Sequence, residues 1–263
     1  MARRFLTVLL FTALAVTAQA QPRLAIIIDD LGYHRARSEA IANLPGAITC
    51  AIIPGTPHAQ RIAHHASQQR KEVLLHIPME PPNNQPLDSG GLHQQMTRQQ
   101  LQQAVRQAVQ TMPQATGANN HMGGLLTTLE QPMDWLMEEL AQHALFFIDS
   151  RTTEQSVAIK KAREHGIRYQ VRDVFLDNER DLTSLNRQFN RALALARKRG
   201  HAILIGHPYP ETIDYLSAVL PLLDQAGITL VPVSQLLRTP APTTRRETHV
   251  SGTSPTATSR ASM

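Results

Sequence analysis

The sequence predicts an α/β fold built on a parallel sheet or barrel. Short apolar runs alternate with helix-length stretches along most of the chain. The polar residues best suited to chemistry gather where those apolar runs end, which is where the loops of a parallel sheet carry catalytic groups. The run Leu24 to Ile28 shows both features: mostly bulky and β-branched, too short for a helix, it reads as a strand buried on both faces, and it ends in Asp29 and Asp30. Successive strand residues point to opposite sides, so the two carboxylates are expected to do different jobs, one holding a metal while its neighbour acts as a base. A helix N-cap would explain one Asp here, but not two.

The ends of the chain stand apart from this pattern. Arg3 and Arg4 precede an apolar segment from Phe5 to Val16 and the sequence Ala18-Gln19-Ala20, which reads as a secretory signal peptide cleaved after Ala20. That segment falls short of the roughly 20 residues of a spanning helix, so no membrane span is expected after cleavage. Thr239 to Met263 is rich in Thr, Ser, Pro and Ala without apolar periodicity and reads as a disordered tail, leaving residues 21–238 as one domain. Setting aside Arg3, Arg4, Arg245, Arg246, Arg260 and Glu247 of the ends, and Arg238 at the boundary with the tail, the 26 basic and 21 acidic residues leave 20 of each. The neutral core removes the case for a nucleic-acid partner that the basic pI would otherwise make. The single cysteine, Cys50, has no internal partner and lies in an apolar run, so a buried thiol is expected.

Taken in order, Arg35 to Asn43 has helical spacing and is stopped by Pro45-Gly46. Ala47 to Ile53 is a second strand, 58–69 a helix, and Glu72 to Leu75 a third strand running into His76-Ile77-Pro78-Met79-Glu80. Residues 81–96 have no periodicity and form a long loop of the kind that often carries function. Thr97 caps an amphipathic helix to Met112; the polar stretch Gly117 to Gly124 is a strand end and loop, and Pro132 to His143 is a helix. Leu145 to Ile148 is a buried strand ending in Asp149, Ser150 and Arg151, and Glu154 to His165 is a helix closed by Gly166. One strand is expected over Ile167 to Leu176, then a helix over Leu182 to Arg199, a strand over His201 to Ile205 delivering His207, a helix over Ile213 to Gln225, and a last strand over Ile228 to Val233.

Asp29, Asp30, His76, Glu80, His121, Asp149, Asp177 and His207 thus lie at or just past strand ends, which converge on one mouth in a barrel. Two imidazoles and a carboxylate from separate strands are what a catalytic zinc needs, with one position left for water. Such an ion brings the pKa of bound water to about 7, and a nearby carboxylate can then take its proton.

The motifs Asp29-Asp30 after an Ile strand, HIPMEP (76–81), GANNHMGG (117–124), FFIDSRT (146–152), RDVFLDN (172–178) and IGHP (205–208), in that order, resemble the divergent polysaccharide deacetylase family, related to the NodB-type carbohydrate esterases. The resemblance runs from Arg23 to Leu237. It implies a single-domain distorted (β/α) barrel of the NodB type and metal-dependent removal of N- or O-acetyl groups from a polysaccharide. By this resemblance Asp29 is the general base, Asp30 a metal ligand and His76 the first His of a His-x-x-x-His motif. The second place of that motif holds Glu80, so either Glu80 or His121 is the third ligand, and His121 is favoured because two imidazoles suit zinc better. His207 matches the histidine that protonates the departing amine or alkoxide. The family's usual Arg-Pro-Pro-Tyr segment is absent, which leaves a backbone N–H or the amides of Asn119 and Asn120 to stabilise the oxyanion. Asp149, Arg151, Arg172, Asp173 and Asp177 match further motif positions, either orienting His207 or a metal ligand or forming structural salt bridges.

The leading expectation is therefore an exported zinc-dependent deacetylase, periplasmic or secreted, acting on peptidoglycan or another acetylated envelope polysaccharide. The alternative is a catalytically inactive glycan-binding or envelope-assembly module on the same fold. Tyr33, Trp135, Tyr209 and Tyr215 are the aromatic residues available to stack on sugar rings.

Overall fold

The computed structural model describes residues 21–83 and 85–240. The expected signal peptide and all but the first two residues of the expected tail lie outside these. Among the described residues nine strands and seven α-helices follow one another: β1 (Arg23–Leu31), α1 (Arg35–Asn43), β2 (Thr49–Ile52), α2 (Ala59–Gln68), β3 (Glu72–Met79), α3 (Arg98–Thr111), β4 (Ala115–Met122), α4 (Glu130–Gln142), β5 (Phe146–Asp149), α5 (Ala158–Glu164), β6 (Tyr169–Val171), β7 (Val174–Phe175), α6 (Leu182–Arg199), β8 (His201–Gly206), α7 (Pro210–Val219) and β9 (Thr229–Leu230). Every pairing among them is parallel, in the order β6-β5-β4-β3-β2-β1-β8-β7, with β9 beside β1.

The sheet curls into a distorted barrel. Its two edge strands, β6 and β7, are consecutive in the chain and separated only by Arg172 and Asp173. The Arg172 N–H donates to Asp149 O on one edge (3.1 Å), and the Asp173 N–H to Ile203 O on the other (2.9 Å). The single strand expected over residues 167–176 is thus two short ones on opposite edges. Apolar periodicity runs through both and does not register the crossing between them.

Side chains of β1 alternate between two cores. Ala25 and Ile27 face the barrel interior with Ala51, Leu74, Phe146, Ile148, Ile203 and Ile205, and Val231, Val233 and Leu236 join them there. Leu24, Ile26 and Ile28 face the surrounding helices. Burial on both sides explains the unbroken apolar run. Cys50 is buried, and burial pushes its thiol up to about 12, so it packs as a small apolar group.

The helices follow their local signals. Thr97 accepts from Gln100 N–H and Gln100 reaches back, a capping box that starts α3, and Asp181 accepts from Ser184 N–H at the start of α6. Helix α5 begins at Ala158 rather than Glu154, because the Val157 N–H donates to Thr127 O (2.8 Å) and Ser156 Oγ accepts from Ala158 N–H. Among the described residues no helix is long and apolar enough to cross a membrane.

Candidate metal and catalytic site

The barrel's inward face is apolar until its carboxyl end, and the two-residue period carries the change. Ala25 and Ile27 lead to Asp29, Leu74 to His76, Ile148 to Ser150, and Ile203 and Ile205 to His207; Asn119 and His121 share one face of β4. Strands β3 and β4 extend through these residues, and His76 pairs with Asn119 in register. Asp29, His76, Asn119 and His121 therefore sit on strand backbone, and Ser150 and His207 lie one residue past the ends of β5 and β8.

Asp30 breaks the alternation. Its φ is 58°, and the register of β1 against β2 shifts between Ile28 and Leu31, a bulge that re-aims the side chain. A left-handed conformation costs a non-glycine residue about 1–2 kcal/mol, and Asp tolerates it better than most. As a result both carboxylates reach one imidazole: His76 Nε2 lies 3.7 Å from Asp29 Oδ2 and 3.2 Å from Asp30 Oδ1. The expectation that neighbouring Asp residues face opposite sides is corrected by this bulge, and their partners distinguish them instead.

Asp30 Oδ1, His76 Nε2 and His121 Nδ1 form a triangle with edges of 3.2, 3.2 and 2.7 Å. Asp30 Oδ1 is sealed from solvent, yet it makes no hydrogen bond to either ring. Two ligands of one tetrahedral zinc, each bonded at about 2.0–2.1 Å, stand roughly 3.4 Å apart. The orphaned oxygen, the spacing and the carboxylate-plus-two-imidazole donor set all fit a divalent ion, and these three residues could hold one.

Asn119 settles the tautomer of His76. A carboxylate only accepts, so the amide nitrogen faces Asp29, with Nδ2 donating to Asp29 Oδ1 (2.8 Å) and to Ser150 Oγ (3.2 Å). The amide oxygen then accepts from His76 Nδ1 (2.8 Å), which leaves Nε2 to present its lone pair to the triangle. All of this is buried, with Asn119 at 0% and His76 at 2% exposure.

Burial dominates the Asp29 carboxyl and pushes its pKa up, although His76 and His207 pull it down. Burial also acts on Asp30, but the two imidazoles outweigh it and hold that carboxyl well below the usual range. For His76 burial opposes the charge, and Asp29 and Asp30 outweigh it, so its pKa rises. His207 Nδ1 lies 2.8 Å from Asp177 Oδ1, while its backbone N–H donates to Asp177 Oδ2 (2.6 Å). Burial again works against the charge, but Asp177 outweighs it, and His207 is pushed up to about 9.

Several of the candidate residues spend their polar groups on partners other than the triangle. Glu80 does not join the triangle: its carboxylate accepts from the Gln94 N–H (2.6 Å) and amide (3.1 Å), tying down the loop that follows β3. Asn119 and Asn120 have no donor to spare for an oxyanion. Asn119 spends its amide on Asp29 and Ser150, while Asn120 donates to Met122 O (2.8 Å) and Thr152 Oγ1 (3.5 Å) and accepts from Ser150 N–H (2.9 Å). Asp173 lies at the seam of the sheet, paired with Arg199 (3.0 Å) and accepting from Ile203 N–H (2.9 Å), a structural role.

Of the other motif residues, Asp149 accepts from Arg151 N–H (2.8 Å), shaping the turn that presents Ser150. Arg172 donates to Ser150 O (2.7 Å) and Arg151 O (3.0 Å), and its guanidinium lies over Phe175, whose ring stacks on His207. Tyr33 is exposed and touches Asp88 near His121, and Tyr209 stands beside His207. Tyr215 packs against Phe189 and Trp135 against the core, away from the site. The sequence does not single out Ser150, Asp88 or Thr212, whose hydroxyl donates to Asp177 Oδ2 (2.8 Å). The inward register of β5 was the signal for Ser150; nothing in the sequence marked the other two.

Residues 26–237 match the family described as divergent polysaccharide deacetylase. The chain is 43% identical over 219 residues to an uncharacterised protein of Haemophilus influenzae, covering 83% of this chain and 78% of that one. It is 38% identical over 218 residues to the uncharacterised protein YibQ of Escherichia coli, covering 83% and 68%. Among solved structures it resembles the uncharacterised protein ATU2773 of Agrobacterium tumefaciens, with a TM-score of 0.77, 25% identity and coverage of 84% and 91%. The fold is also that of a family 4 carbohydrate esterase from Streptomyces lividans solved with acetate (TM-score 0.52, 11% identity, coverage 85% and 100%). BA3943 of Bacillus anthracis, a pseudoenzyme of that esterase family, shares it too (TM-score 0.53, 11% identity, coverage 82% and 65%). With nearly the whole described chain matched, the protein belongs to the divergent polysaccharide deacetylase family.

Proposed function

We propose that this protein is an exported, zinc-dependent hydrolase that removes acetyl groups from an envelope polysaccharide such as peptidoglycan. The convergence of Asp30, His76 and His121, with the buried Asp29 carboxylate 3.7 Å from His76 and a second histidine, His207, held by Asp177, carries the reading. A divalent ion there would supply a Lewis acid for the acetyl carbonyl and ease deprotonation of water.

The chain's own groups account for the protons. Asn119 occupies Asp29 Oδ1, so Oδ2, on the side of His76, takes the proton of the attacking water. The water oxygen bonds to the acetyl carbon, and the C–N or C–O bond to the sugar breaks. His207 is protonated at neutral pH with Nδ1–H committed to Asp177, so Nε2–H goes to the leaving nitrogen or oxygen. Acetate and a free amine or hydroxyl result. With both asparagine amides committed, the oxyanion falls to a backbone N–H.

That same commitment favours a second reading, a binding module without turnover, a condition that the BA3943 pseudoenzyme shows this fold can host. The deciding experiment measures zinc content and acetate release from acetylated glycan for the wild type, His76→Ala and His121→Ala. About one zinc per chain, lost in both variants together with acetate release, is expected. Glycan binding without acetate release from zinc-loaded protein would establish the second reading, and absence of zinc uptake would refute the hydrolase.

A further inference from the structure

The two imidazoles of the triangle face the same chemical requirement. A neutral imidazole carries one N–H, so a ring that offers one nitrogen to a cation must place its proton on the other, where a partly buried N–H needs an acceptor. His76 has Asn119 for this purpose. His121 offers Nδ1 to the triangle, and the acceptor facing its Nε2 is Asp88 Oδ2, 3.4 Å away.

Asp88 comes from the long loop after β3, yet that loop is pinned just beyond it. Leu92 is fully buried and bridges to β3, its N–H donating to Pro78 O (2.8 Å) while Glu80 N–H donates to Leu92 O (3.0 Å). The Gly91 N–H donates to Asp88 O (3.0 Å), closing the turn. Ser89 rests on Gly55, where a Cβ would come 2.5 Å from Ser89 O. The second Asp88 oxygen accepts from the Tyr33 hydroxyl, and Tyr33 stands three residues after Asp30. A path through Tyr33 and Asp88 therefore joins two corners of the triangle from outside it.

We infer that Asp88 is a positioning residue for His121, held by Tyr33, and that this latch fixes the ring so that Nδ1 stays aimed at the triangle. The inference rests on the metal reading above, and it concerns the loop's part in that reading.

Zinc affinity measured by chelator competition on the full chain tests it, for the wild type, Asp88→Ala, Asp88→Asn and Tyr33→Phe, alongside thermal unfolding of the metal-free proteins. Asp88→Ala should weaken zinc binding about 10–100-fold, the usual effect of removing an outer partner of a ligating histidine. Asp88→Asn keeps an acceptor oxygen and should recover most of that loss, while Tyr33→Phe should lose less than Asp88→Ala. A purely structural role would lower metal-free stability and leave affinity unchanged, which would overturn the inference, as would a loss that Asp88→Asn does not repair. Tight zinc binding by the wild type with Asp88→Ala unaffected would remove this inference alone. No binding by the wild type would remove the metal reading with it.

Discussion

Asp177 grips His207 twice, through the ring Nδ1 at 2.8 Å and the backbone N–H at 2.6 Å, and its second oxygen also accepts from the Thr212 hydroxyl (2.8 Å). Gly206 leaves it little room, since a Cβ there would stand 3.2 Å from Asp177 Oδ2. The buried carboxylate both fixes the ring and keeps it charged. Asp177→Asn removes the charge and brings an NH2 toward a backbone donor, so it should cost about 1–3 kcal/mol of stability. Under the proposed mechanism, with His207 as the proton donor, activity should fall as pH rises through about 9. In Asp177→Asn that alkaline limb should move to lower pH, read from the pH profile of kcat/KM. The linkage has a matching sign: a raised histidine pKa adds stability fully below about pH 6.5, lost as pH rises through the folded value, and the variant should lack this slope.

Asp29→Asn tests the division of labour between the adjacent carboxylates. Asp29 is not part of the triangle, so zinc content should stay near one per chain while turnover falls about 10²–10⁴-fold, as for loss of a general base. Acetate release by a zinc-loaded variant at the wild-type rate would remove Asp29 from the mechanism.

What the sequence made legible was the apolar scaffold. The run from Leu24 to Ile28 gives β1 because burial on both faces demands it, and the alternation of strands and helices gives the parallel order. The polar layer was harder to read. His76 and Asn119 to His121 lie inside β3 and β4, but apolar periodicity fades where a strand turns polar, so they looked like strand ends. Whether an amide is free depends on residues distant in sequence. Asn119 finds Asp29 90 positions away, and nothing local announces that pairing. The bulge at Asp30 is likewise a register event between β1 and β2, which a single strand's sequence does not encode.

Glu80→Gln separates the two assignments of the third ligand. Gln keeps an oxygen that can accept from Gln94 N–H, so the loop anchor survives. Zinc affinity should stay within about twofold of the wild type, whereas removal of a true ligand costs far more. A large drop measured by chelator competition would return Glu80 to the metal.

Gly32 follows the paired aspartates with φ at +115°, and a Cβ there would come 2.0 Å from Thr56 Oγ1. Thr56 is buried and donates to Ile53 O (2.7 Å), so it has little freedom to retreat. Gly32→Ala combines backbone strain with a steric clash and should cost roughly 1–3 kcal/mol or more, read as a lower urea midpoint.

Asn119 gives the sharpest test of the buried network, because its amide nitrogen and oxygen have different partners. Asn119→Ala leaves the His76 N–H and Asp29 Oδ1 without this partner inside the barrel, at about 1–3 kcal/mol for each unsatisfied group. Asn119→Asp keeps the shape but sets a second carboxylate against Asp29 at the place of a 2.8 Å hydrogen bond. Two carboxylates sharing one site hold one proton between them, and the protonated form restores a donor that the ionised pair lacks. Stability of Asn119→Asp relative to the wild type should therefore improve as pH falls, measured by urea unfolding at about pH 8 and about pH 5. A deficit independent of pH would mean that the new carboxylate has turned away from Asp29 and that the bridge is not held as tightly as its burial implies.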